Sequence, residues 1–126
     1  MSLYFFRIAL LCFLAGCTAK AAETKTVMLS DLPTESLSAS GVWQSGAWTG
    51  SDAEPWIQYN GRVLLRLEHR LGRVPSAILV YLSFSSDGRS AALSAGDMAH
   101  IISADEQFVE ISNQTNSDFY ARVVLY

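Results

Sequence analysis

The sequence predicts an all-β fold, a small antiparallel β-sandwich of about seven or eight strands. Three observations carry that expectation. From Gly41 onward, short apolar-rich segments recur between turn signals. The clearest of them alternates apolar and polar residues with the two-residue period of a half-buried strand. No stretch of that region shows an amphipathic pattern long enough to form a useful helix.

The elements follow in order. "GVWQSGAWTG" alternates with glycines and carries two tryptophans. In "PWIQYNGRVLLRLEH", Asn60-Gly61 stands between two β-rich runs, the signature of a two-residue hairpin turn with φ > 0 at both positions. The second arm sets Val63, Leu65 and Leu67 on one face, with Arg62, Leu64, Arg66 and Glu68 on the other. Gly72 and Pro75 then punctuate the chain, because proline cannot donate to a central ladder. "SAILVYLSF" reads as a buried strand closed by the turn "SSDG", and "AHIIS", "QFVEIS" and "DFYARVVLY" complete the set. One apolar face per strand suits two packed sheets.

The N-terminus has a different texture. Arg7 is the one charge ahead of "IALLCFLAG", an uncharged run well short of the roughly 20 apolar residues that span a bilayer. That pattern is an export leader. Leu14-Ala15-Gly16-Cys17 resembles the lipobox of bacterial lipoproteins, and the resemblance covers residues 1–17 only. It implies that the Cys17 thiol is alkylated by diacylglycerol and that the leader is removed before Cys17. Two or more acyl chains anchor a protein stably where one does not. In Gram-negative lipoproteins an Asp after the lipidated Cys retains the protein in the inner membrane; with Thr18 in that place, the resemblance implies the outer membrane for a Gram-negative source. The alternative left open is an ordinary secretory leader, cut after Ala19–Ala21.

The chain therefore divides into a leader (1–16), a segment of lipidated Cys, polar tether and edge strand (17–40), and a sandwich domain (41–126). The tether is read over Thr18 to about Thr24 and the edge strand over 25–30. Cys12 falls in the leader, so the mature chain has no cysteine pair for a disulfide or a metal site. Loss of Arg7 takes the formal net charge from −3 to −4, which argues against nucleic-acid binding.

Chemistry-bearing patterns are few. His69 and His100 are the only histidines and lack metal-ligand spacing. Serines are plentiful, yet no G-x-S-x-G elbow is present, and Asp97 and Glu68 near the histidines complete no acid–base–nucleophile set. No enzyme, metal or cofactor is expected. Asn113 in "NQT" fits a glycosylation sequon and reads as a polar turn. Arg62 and Arg66, with Arg70, Arg73 and Arg89 nearby, could grip phosphate or carboxylate groups, or simply solvate a sheet face among Glu68, Asp87 and Asp97.

The aromatics are the stronger lead. Trp43, Trp48, Trp56 and Tyr59 fall within 17 residues, and exposed rings on a β-platform stack on sugars or anchor partners. At least one tryptophan is expected in the core, with Trp48, beside Ala47, Thr49 and Gly50, the exposed one. The rhythm "H-x-LG-x-x-P … VYLSF … FVEISN … FYARVVL" is similar to the small sandwiches of H-type lectins; none of that family's sugar-binding residues is identifiable, so no site is carried across. Two functions are expected ahead of an enzyme. One is a membrane-anchored binding module for glycan or another envelope component. The other is an accessory lipoprotein that docks on a larger envelope assembly.

Overall fold

The computed structural model describes residues 21–32, 36–37 and 40–126; the leader and Cys17 lie outside them. The described chain is all-β. In chain order its strands are β1 (Glu23–Val27), β2 (Ser36–Leu37), β3 (Trp43–Gln44), β4 (Ile57–Tyr59), β5 (Val63–Glu68), β6 (Ile78–Ser83), β7 (Ala92–Ser94), β8 (His100–Ala104), β9 (Phe108–Ser112) and β10 (Phe119–Leu125), with 3-10 turns at Leu29–Asp31 and Gly96–Met98. One sheet has the order β1-β5-β9-β8. The other has the order β2-β3-β10-β6-β7, with β4 also on β10.

The sheets meet through the alternation read from the sequence. Val63, Leu65 and Leu67 of β5, with Val109 and Ile111 of β9, face Val80, Leu82, Ala121, Val123 and Leu125 across the core. Central strand β10 pairs with β6 along six residues, from Tyr120↔Ser83 to Leu125↔Ile78. Its opposite edge is shared. β4 covers Phe119–Ala121 and β3 covers Val124–Leu125, which leaves Arg122 and Val123 at the gap between them. The loop 45–56 leaves the sheet at that gap. Ser45 closes it by donating its N–H to Val123 O and accepting the Val123 N–H on its hydroxyl.

Three expectations need correction. Asn60-Gly61 is not a hairpin turn, because β4 belongs to one sheet and β5 to the other. The turn instead carries the chain between sheets, with the Val63 N–H donating to Asn60 O and the left-handed residue being Arg62, at φ 63°. Gly61 is required for space: a Cβ there would stand 2.6 Å from the carbonyl carbon and oxygen of Asn116. The sandwich is also not wholly antiparallel. β1 runs parallel to β5, from Glu23↔Val63 to Val27↔Leu67, which is open to it because β2–β4 intervene as a long crossover.

The third correction concerns the boundary at residue 41. The edge strand expected over 25–30 starts at Glu23, and Val27 and Leu32 pack in the core. The domain thus begins inside the segment read as tether.

The turn at Leu29–Asp31 is fastened to the sandwich by Glu68. This residue reads from the sequence as part of the polar strand face, yet it is only 1% exposed. Its carboxylate accepts the Leu29 N–H at 3.0 Å, the Gln107 amide at 3.1 Å and the Arg70 Nε–H at 3.1 Å. The Leu29 N–H, chiefly, then the Gln107 and Arg70 groups, hold its pKa below the ordinary 4.5. A carboxyl depressed in the folded state stabilises above its unfolded value, and that stabilisation disappears as pH falls through the folded value. Glu68→Gln is therefore expected to lower the urea midpoint at pH 7 and to narrow its drop between pH 7 and pH 3. An unchanged slope across that range would count against this role.

Candidate functional site

The four aromatics predicted as a ligand surface are separated by the fold. Trp43 and Tyr59 are core residues, with Trp43 edge-on to His69 and the Tyr59 hydroxyl donating to Met98 O at 2.8 Å. Burial pushes the Tyr59 phenol well above its ordinary pKa. Trp56 is buried beneath Gly88, where a Cβ would come within 2.3 Å of the indole, and the indole N–H meets no acceptor among the described residues. None of these three can offer a ring face to a ligand. Trp48 can, at 57% exposed.

The position of Trp48 follows from the gap beside β10. Arg122 projects from the outer face of that strand, opposite Tyr81 of β6. Its Nε–H donates to Gly46 O at 3.1 Å, and its guanidinium also bonds the Gln44 side-chain oxygen. These bonds draw residues 44–46 across the sheet and bring the next turn over the guanidinium. Trp48 lands there, its ring centroid 4.5 Å from the Arg122 Cζ. Tyr81 meets the indole at 4.8 Å and 87°, an edge-to-face contact, and Trp56 lies at 6.2 Å.

Loop 84–88 supports the ledge from the side. The Gly50 backbone N–H donates to Asp87 O and the Trp56 backbone N–H donates to Ser86 O. Gly50 has no room for a side chain, since a Cβ would lie 2.6 Å from Ser86 O. Trp48 is thus an exposed ring with a fixed orientation.

Two depressions flank it. On one side a cleft of about 510 Å³ is lined by Thr49, Asp87, Gly88, Arg89 and Ser90. Asp87 accepts the Arg89 N–H at 2.9 Å and pairs with its guanidinium at 3.4 Å. Hydrogen bonds from Ser85 and Arg89 hold the Asp87 carboxyl below its ordinary pKa. On the other side a groove of about 240 Å³ is lined by Gln44, Tyr81, Arg122, Val124 and Tyr126. An aromatic ridge between polar depressions can take the apolar face of a sugar ring and offer donors and acceptors to its hydroxyls.

The other candidates are dispersed. Arg62 and Arg66 are engaged by different partners. The Arg62 Nε–H donates to Asn116 Oδ1 at 3.1 Å, while Arg66 lies 3.7 Å over the Phe108 ring and opposite Glu110. His69 is buried. Its Nδ1 accepts the Leu71 N–H, so its Nε2 carries the proton and donates to Asp105 O at 3.0 Å. Burial lowers its pKa, which keeps the ring neutral. His100 is exposed on β8. Among the described residues, no three His, Cys, Asp or Glu gather as a metal site, and no helix is long and apolar enough to cross a membrane.

Arg122 escaped the reading of the sequence. Its signal was present: one charge at the outward position of "YARVV", between two residues destined for the core. No family model, curated protein or solved structure matches the chain.

Proposed function

We propose that the chain is a bacterial envelope lipoprotein, anchored through Cys17 in the outer membrane, whose sandwich is a non-catalytic glycan-binding module. The lipobox-like "LAGC" supports the anchor, and Thr18 supports the choice of membrane. The observation that carries the binding function is Trp48, exposed yet held by Tyr81 and Arg122 between two polar depressions. A surface tryptophan so fixed loses little entropy when a sugar stacks on it. With the first strand at Glu23, the leash from Cys17 spans six residue steps, about 20 Å at full extension. The module would work against material at the membrane surface.

Trp48→Ala is the test. It is expected to cost about 2 kcal/mol of glycan binding, roughly 30-fold in Kd, with the thermal melt little changed. Titration of isolated envelope glycans against both proteins reads the effect, and intact mass of the same preparation reads the diacylated Cys17. Equal binding by the two proteins would end the glycan reading.

A specific observation also favours docking on a partner protein. The edge strands β7 and β8 carry exposed Leu93, Ile101 and Ile102, and β8 has no acidic or Lys/Arg side chain to discourage an added strand. The bulge between Ile101 and Ser103 works against such pairing. We therefore rank docking second.

A further inference from the structure

We propose that the smaller groove beside Trp48 binds a carboxylate-bearing sugar, a hexuronate unit, with Arg122 as the partner of the carboxylate. The inference rests on the glycan reading of Trp48 and adds the ligand's charge class. Arg122 is 7% exposed, and burial lowers its pKa. Its partners among the described residues are neutral: Gly46 O, the Gln44 side-chain oxygen, and the rings of Trp48 and Tyr81. The ion pairs among the described residues join Arg70 to Glu68 and Arg89 to Asp87, and none includes Arg122. A buried cation is costly unless an anion meets it, so a protein that keeps one without a carboxylate leaves that place for a ligand.

The surroundings suit a sugar acid. The groove of about 240 Å³ has Arg122 in its lining, together with Gln44, Tyr81 and Tyr126. That space is below the usual range for drug-sized ligands and fits a single ring. Trp48 forms one wall with Arg122 against one face of its indole, so a pyranose seated at the edge of the ring, within the groove, can direct its C6 carboxylate toward the guanidinium. The planar fork of arginine matches a carboxylate in two parallel hydrogen bonds. Among the described residues no second cation lines this groove, and one guanidinium balances a monoanionic carboxylate better than a phosphate dianion. Neutral sugars would leave Arg122 as it is, so the groove discriminates by charge.

Gln44→Glu tests the assignment without removing Arg122 from beneath Trp48. The new carboxylate would sit where the Gln44 oxygen already bonds the guanidinium, and so neutralise it from within. Trimers of galacturonate, glucuronate and mannuronate are titrated by calorimetry against the full lipidated chain, each beside its methyl ester, with glucose 6-phosphate as a separate ligand. The expected result is a preference of roughly tenfold or more for at least one free acid over its ester, weakened by salt. Gln44→Glu should erase that preference at a melting temperature no lower than that of the parent chain.

Three results would overturn the proposal. Acid and ester binding equally, both lost in Trp48→Ala, would retain the glycan reading and reject the charge class. A preference that survives Gln44→Glu, or glucose 6-phosphate binding more tightly than every uronate, would reject Arg122 as a carboxylate partner. No sugar of either kind binding would reject this inference and the glycan reading together.

Discussion

Asn113→Asp is expected to destabilise the protein by about 3 kcal/mol or more, although it replaces only one non-hydrogen atom. Asn113 has no exposed surface. Its Nδ2 donates to Asn60 O at 3.1 Å and to Ser117 O at 2.8 Å, and its Oδ1 accepts the Thr115 N–H and hydroxyl at 3.0 Å and 2.6 Å. All four bonds cross the loop that follows β9 or tie it to the turn before β5. Asp would turn two donated bonds into two contacts between carboxylate and carbonyl oxygens. Each stranded carbonyl costs about 1–3 kcal/mol, and a buried charge adds to it. Urea unfolding at pH 7 measures the effect. A loss under about 1 kcal/mol would show that the loop relaxes to admit water. The same burial means that the "NQT" sequon of the folded chain does not present its asparagine to a glycosylating enzyme.

Gly61→Ala is the second large effect, expected at about 2–3 kcal/mol. The added methyl would meet backbone: the carbonyl carbon and oxygen of Asn116 at 2.6 Å and its Cα at 2.9 Å. Neither side can yield cheaply. The Gly61 N–H donates to Asp118 Oδ1 at 2.9 Å and the Arg62 N–H to Thr115 O at 3.0 Å, which lock the turn against the loop. Gly46→Ala supplies the comparison, since nothing lies within 4 Å of a Cβ there. It should change stability by less than about 0.5 kcal/mol. Comparable losses at the two positions in thermal or urea unfolding would reject the close-approach argument. Because Gly61 and Asn113 brace the same turn, the double variant should lose less than the sum of the two.

These two residues show where reading the sequence stopped. The dipeptide Asn60-Gly61 carries a strong local hairpin signal, and the glycine is indeed indispensable. Its reason is different. Turn chemistry reports which backbone angles a residue tolerates, but not which segment lies against it, and the Asn116 carbonyl comes from 55 positions later. Asn113 reads equally well as a solvated turn residue until the loop closes around it.

The alternation of β5 was legible, and Val63, Leu65 and Leu67 are in the core as that pattern requires. The same pattern placed Glu68 with the polar residues. Periodicity assigns a residue to a face of its own sheet, and it does not say that the turn at Leu29–Asp31 will come to cover that face. For the aromatics, the sequence context of Trp48, between small and polar residues, separated it from Trp43 and Trp56. It could not show that the ring would settle on Arg122, from a strand more than seventy residues away.

What the sequence by itself determined is therefore the class of the fold, the interior face of its best strands and the exposure of Trp48. Each depends on local period and composition. The tertiary structure decided the parallel placement of β1, the passage from one sheet to the other at Gly61, and the pairing of Trp48 with a buried Arg122. These depend on which distant segments meet, through hydrogen bonds and contacts that a local pattern does not encode. A site formed at the gap between two short strands on a shared edge can be seen only once the edge exists.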